Sequence, residues 1–163
     1  SSGVAELFTP GTPTREIVKF IEDYFRVDNS FVTQIDHIGI AVNSIEESLQ
    51  FYKLLGLKCQ GTEEVPDQRV RVAFIPMGDS EVELLEPTSP ESSVAKFLAA
   101  KGEGIHHIAY RVPDINSALA RLKLQGVRLL DEKPRVGAGG ALIAFIHPKA
   151  AGGVLTEICQ RNL

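Results

Sequence analysis

The chain has 163 residues, 44% hydrophobic and 23% charged, with a formal net charge of −4. That length suits one domain or a compact pair of similar units, and no lysine- and arginine-rich block offers a footprint for nucleic acid. No apolar run reaches the length of a membrane span and no signal-peptide pattern opens the sequence, so a cytoplasmic protein without nucleic-acid or membrane partners is expected. Cys59 and Cys159 lack metal-type spacing and read as free thiols of a reducing compartment.

Residues 1–33 read as an N-terminal extension with one helix. Thr12-Pro13 marks a helix entry, and Ile17, Phe20, Ile21 and Tyr24 form an apolar stripe. Phe20 and Phe25 then need cover, because a lone helix cannot bury its stripe. From residue 34 the chain repeats itself. "IDHIGIAVNSIEESLQFYKLLGLK" (35–58) aligns with "IHHIAYRVPDINSALARLKLQGVR" (105–128) without a gap, at an offset of seventy residues.

Each copy begins with a run of strand periodicity and a turn at Asn43-Ser44 or Pro113-Asp114 that supplies N-cap chemistry. An amphipathic helix follows, carried by Ile45, Leu49, Tyr52 and Leu55 or by Ile115, Leu119 and Leu122. Gly56 and Gly126 stand where a left-handed C-cap belongs. Three strands are predicted after each helix, at 57–62, 69–76 and 80–86 and at 127–130, 141–147 and 153–160. Residues 34–163 are therefore one α+β domain of two βαβββ repeats, 35–87 and 105–160.

The repeat also selects residues for chemistry. A lone histidine in a strand is usually a core or surface residue, and a lone glutamate a solvent-facing charge. Here a His/Glu pair recurs at matching places: His37 with Glu83, and His107 with Glu157. If the copies pack about a pseudo-twofold axis, these four converge in one cleft. Small residues, Gly39 and Ala109, follow each histidine two positions on and leave room. Two imidazoles and two carboxylates suit Co²⁺, Mn²⁺, Fe²⁺, Ni²⁺ or Zn²⁺ better than Ca²⁺. An octahedral ion so held keeps two positions for water or a bidentate substrate. His106 has Asp36 as its counterpart and the opposite strand parity, so it is expected to point away as a structural or supporting group.

With these residues in view, the chain resembles the vicinal oxygen chelate superfamily, and within it the methylmalonyl-CoA epimerases, over about residues 34–160. The segments that carry the likeness are "DHIGIAV", "VAFIPMGDSEVELLEPTSPESSVAKFL", "GEGIHHIAYRV", "DEKPRVGAGGALIAFIHPK" and "GGVLTE". Glyoxalase- and dioxygenase-like relatives commonly carry a "DPDG"-like turn where this chain has "HPKAAGG". The resemblance implies a glyoxalase-like fold and an isomerase that interconverts (2R)- and (2S)-methylmalonyl-CoA. It would remove and return the C2 proton through a metal-stabilised enolate. The implied ligands are His37, Glu83, His107 and Glu157, with Co²⁺ foremost and Mn²⁺, Ni²⁺ or Zn²⁺ also fitting. Glu157 doubles as an acid/base, and the assembly is a homodimer of propionate metabolism.

Some members carry a second glutamate where this chain has Val72. Glu63, Glu64 or a metal-bound water are the candidates to replace it. Lys149, Arg135 and the "GAGG" loop (137–140) could meet the CoA phosphates. Residues 3–25 resemble the end of the cobalamin-binding domain of methylmalonyl-CoA mutase, which implies that mutase or that domain as a partner. The rivals are a glyoxalase-type isomerase or lyase on the same ligands, and a non-catalytic binder of small molecules.

Overall fold

Two stretches that match each other in sequence fold into matching halves of one sheet. The computed structural model describes residues 10–11, 13–24 and 30–162, the side chains of 20–24 excepted. It divides into two compact units, the first ending at Phe31 and the second beginning at Val32. In the first unit a helix, α1 (Thr14–Tyr24), starts behind Pro13, whose carbonyl accepts the Glu16 and Ile17 amides at 2.9 and 3.3 Å. The side chains of Phe20, Ile21 and Tyr24 in the expected stripe, Phe25 with its cover, and residues 3–9 all lie outside what the structure describes.

The second unit opens with β1 (Gln34–Ala41) and α2 (Ile45–Leu54), followed by β2 (Gly61–Val65), β3 (Val70–Met77) and β4 (Ser80–Pro87). Helix α3 (Ser93–Lys101) connects the halves. The second half is β5 (Gly104–Arg111), α4 (Ile115–Leu124), β6 (Arg135–Val136), β7 (Leu142–Ile146) and β8 (Thr156–Gln160). The strands form one sheet in the order β2-β3-β4-β1-β5-β8-β7-β6. Parallel pairs β1–β4 and β5–β8 sit inside the two halves, and antiparallel β1–β5 joins them. The order reads alike from both ends, as a duplicated unit requires.

Local chemistry repeats with the topology. Ser44 caps α2 by accepting the Glu47 amide at 3.2 Å, and Asp114 caps α4 by accepting that of Ser117 at 3.1 Å. Gly56 and Gly126 stop the two helices with φ of 79° and 74°, a conformation that a Cβ disfavours. One sheet face packs against α2 through Ile45, Ala73, Ile75, Val82 and Leu84. The alternate residues Val70, Val72 and Leu85 face the other way and pack with Ala41 and Val94. That second face carries the site.

The structure differs from the expected elements in four places, one of them the last strand, expected at 153–160, which begins only at Thr156. Strand 57–62 begins only at Gly61 and continues to Val65. Strand 127–130 is reduced to a bridge of Leu129 to Ile146, and the outer pairing is made by the two-residue β6. Helix α3 has no place in the predicted repeat; Ser92 caps it by accepting the Val94 amide at 3.2 Å. The two far edges of the sheet also meet, since Glu63 on β2 accepts the Gly139 amide at 2.8 Å. The sheet is thereby curled.

Candidate metal centre

Register brings the four selected residues together. On β1, Gly39 stands opposite Glu83 of β4, and on β5, Ala109 stands opposite Glu157 of β8. Across the central antiparallel pair, His37 faces Ala109 and His107 faces Gly39. Each histidine therefore lies over the small residue of the other copy. At Gly39 this is obligatory: a Cβ there would fall 2.2 to 2.8 Å from the His107 ring. All four side chains are buried, at 3–5% exposure.

His37, His107 and Glu157 offer ligand atoms within 4.8 Å of one another. The two Nε2 atoms face each other at 3.1 Å, and Glu157 Oε2 lies 3.3 Å from His37 Nε2. Glu83 lines the same small cavity, of about 20 Å³, but its carboxylate lies at the other ring nitrogen, 3.1 Å from His37 Nδ1. It groups there with Asp36 and Glu81. The cleft thus holds all four, and three share one point.

Asp36 and His106 are the residues that strand parity misplaces. The β1–β5 register slips between Ile35 and His37 and again between Gly39 and Ile40, which pairs with Ile105. Asp36 and His106 are the extra residues of two β-bulges, and at a bulge side chains stop alternating. Each turns back to the histidine that follows it. Asp36 Oδ1 lies 2.6 Å from His37 Nδ1, and His106 Nδ1 lies 3.0 Å from His107 Nδ1. The expectation that His106 points away is corrected: its ring also lines the larger neighbouring cavity. Such partners on the outer nitrogen fix a ring and aim Nε2 inward.

Asp36 anchors a charged cluster of its own. It is fully buried and accepts hydrogen bonds from Arg111 Nε at 2.8 Å and from Arg161 at 2.7 and 2.9 Å. Burial alone would raise its pKa, but the bonds from His37, Arg161 and Arg111 hold the carboxyl far below the usual carboxylate range. Burial also works against a charged His37, yet Asp36, Glu83 and Glu157 push its pKa up to about 9. Glu83 and Glu157 are raised by burial, against the opposing charge of His37. His107 is lowered by burial and by the two neighbouring histidines. A crowd of buried carboxylates and imidazoles with one vacant acceptor suits a cation. Glu157 Oε2 is buried and accepts no hydrogen bond. The donor set, two nitrogens and carboxylate oxygens, matches a borderline divalent ion.

Beside this centre lies a cavity of about 340 Å³ that shares Gln68, Leu85 and His107 with it. A further cavity of about 620 Å³ adjoins it across His106, Leu130 and Leu155. Arg135 stands at the first of these and Ala138 of the "GAGG" loop at the metal cavity, whereas Lys149 lines none of the three. Val72 lines the metal cavity as a buried aliphatic wall. Glu63 and Glu64 line none of them, and Glu63 is engaged with Gly139.

A metal-ready cleft between paired βαβββ halves defines the class of protein. Residues 36–145 match the Glyoxalase/Bleomycin resistance protein/Dioxygenase superfamily, and the chain belongs to that family. Its relatives narrow the likeness. The mitochondrial methylmalonyl-CoA epimerase of Homo sapiens is 39% identical over 129 residues, 78% of this chain and 73% of that protein. A solved methylmalonyl-CoA epimerase in complex with methylmalonyl-CoA and NH4+ superposes with a TM-score of 0.76 at 41% identity, covering 79% of this chain and 94% of the other. The epimerase of Mycobacterium tuberculosis gives 0.80 at 38% identity, with 86% and 96% covered. Epimerases are isomerases, and the fold and enzyme class expected from the sequence are those of these relatives. Among the described residues no helix is long and apolar enough to cross a membrane.

Proposed function

We propose that the chain epimerises (2R)- and (2S)-methylmalonyl-CoA at C2, with a divalent cation held by His37, His107 and Glu157 and with Glu83 beside them. Co²⁺ is the first choice, and Mn²⁺, Ni²⁺ and Zn²⁺ fit the same donors. One observation carries the reading: the buried Oε2 of Glu157, without a hydrogen bond, stands where two imidazole Nε2 atoms meet, next to a cavity sized for a small acyl group.

C2 lies between a thioester carbonyl and a carboxylate, so its proton is acidic for carbon yet beyond an unaided base at neutral pH. A bound cation supplies Lewis-acid stabilisation of the charge that develops on the substrate oxygens, on the order of several kcal/mol. The chain's own residues do the rest. Glu157 takes or returns the C2 proton on one face. Asp36 and His106 keep the imidazoles oriented, and Val72 and Leu85 wall the site against water. Inversion needs a second proton carrier on the other face. Val72 cannot serve, and Glu83 is the other carboxylate in the described lining of the metal cavity.

Cobalt-loaded protein incubated with methylmalonyl-CoA in heavy water tests the reading. Deuterium should enter C2 and the two epimers should equilibrate. Turnover of a glutathione hemithioacetal with no exchange at C2 would replace it by the glyoxalase-type alternative.

A further inference from the structure

We propose that Gln68 donates a hydrogen bond to the carboxylate of the substrate and so selects 2-carboxyacyl thioesters over simple acyl thioesters; this rests on the epimerase reading. Gln68 belongs to the tight turn between β2 and β3 and lines both the metal cavity and the 340 Å³ cavity beside it. Its Nε2 is buried and has no hydrogen-bond partner. A buried amide donor left idle costs free energy unless a ligand completes it. The other buried side-chain polar atom in this state among the described residues is Glu157 Oε2, in the same cavity. One orphan calls for a cation and the other for an acceptor. A metal-bound dicarbonyl substrate supplies both.

The turn that carries this amide is fixed in place. Pro66 starts it, and Arg69 ends it in the left-handed region with φ 54° and ψ 47°, the positive-φ residue other than glycine among those described. Strain of this kind persists only where surrounding structure fixes it. Here the Arg69 carbonyl accepts the Thr88 amide at 2.9 Å, the Arg69 guanidinium meets Glu91 at 2.6 Å, and the Gln68 carbonyl accepts Ser92 Oγ at 3.4 Å. The main chain is tied to the β4–α3 connection while the amide head stays uncommitted.

The substrate's oxygens make the match. A malonyl-type head has three: one on the thioester and two on the carboxylate. A cation chelating the thioester oxygen and one carboxylate oxygen would leave the remaining anionic oxygen in need of a donor from the protein. Of the donor side chains that line the metal cavity, Arg161 is engaged with Asp36 and Glu81 and the two imidazoles turn their Nε2 atoms to the shared point, which leaves Gln68. A propionyl thioester lacks that oxygen and gains nothing from it.

The test compares Gln68→Met, which keeps the length but not the donor, and Gln68→Glu, which sets a negative charge against the carboxylate. Dissociation constants for methylmalonyl-CoA and propionyl-CoA on cobalt-loaded protein are measured by calorimetry, with cobalt affinity and melting temperature alongside. Loss of one hydrogen bond to a charged group should weaken methylmalonyl-CoA by about tenfold or more in Gln68→Met. Propionyl-CoA, cobalt and melting should be unchanged, and Gln68→Glu should weaken methylmalonyl-CoA further. Equal losses for both thioesters, or a parallel fall in cobalt affinity, would make Gln68 structural and overturn the proposal. So would unchanged binding of methylmalonyl-CoA. A wild-type chain that does not bind methylmalonyl-CoA at all sinks the epimerase reading as well.

Discussion

Asp36 makes the bulged turn of β1 electrostatically tolerable. It is fully buried, between two arginines about one-fifth exposed and the outer nitrogen of His37. Asp36→Ala leaves those charges facing one another, and should cost about 3 kcal/mol in denaturant unfolding. The pH dependence follows from the direction of its shift. A carboxyl held lower in the folded chain than its unfolded value of about 4 stabilises above that value. It loses the contribution as pH falls towards the folded pKa. The stability gap between wild type and Asp36→Asn should therefore be full at pH 7 and narrow below about pH 4. A gap that widens in acid would refute the assignment. At the opposite end of the site, Glu157→Gln keeps the shape and removes the proton carrier. C2 deuterium exchange should fall by about 10²- to 10⁴-fold while cobalt binding is only weakened. Normal exchange in that variant would leave Glu157 a ligand without a proton-transfer role.

At the scale of elements, the pairing of β1 with β5 sets the position of His107, and Gly39 is where that pairing can be tested without touching a ligand. Gly39→Ala would drive a methyl into the His107 ring, which must swing away from His37 Nε2. Cobalt affinity should fall by about 10- to 100-fold, as when partners of metal ligands are lost. Titration of the metal-free variant checks this, and wild-type affinity would mean that the ring relocates without cost. The same strands show what a sequence can and cannot reveal. Alignment of the chain with itself locates β1, α2, β5 and α4, their caps, and the four residues of the cleft, because each signal occurs twice. Helix α3 occurs once, between the copies, so the repeat is blind to it although Ser92, Val94, Phe97 and Leu98 have helical spacing. Strand β6 is two residues long and has no period to detect. Bulges defeat parity at Asp36 and His106, and Gln68 matters through a turn whose direction no local pattern states.

At the largest scale, the centre is a clasp between two halves that match in sequence and strand order. His37 comes from the first copy, and His107 and Glu157 come from the second. The symmetry is broken where the chemistry needs it: Glu157 reaches the shared Nε2 side, while Glu83 sits with Asp36 at the outer nitrogen of His37. A cation bound at the shared point cross-links β1, β5 and β8, and the unfolded chain offers no such site. Binding must then stabilise the fold by mass action, about 2.7 kcal/mol when free metal is a hundred times the dissociation constant. For a domain of this size that is roughly 5 to 10 °C in melting temperature. Chelator-treated protein should melt lower by that amount and recover on addition of Co²⁺ or Mn²⁺. His107→Ala should abolish the recovery. If the chelated protein melts at the same temperature, no cation spans the two halves, and the four buried side chains hold the cleft together by their own hydrogen bonds.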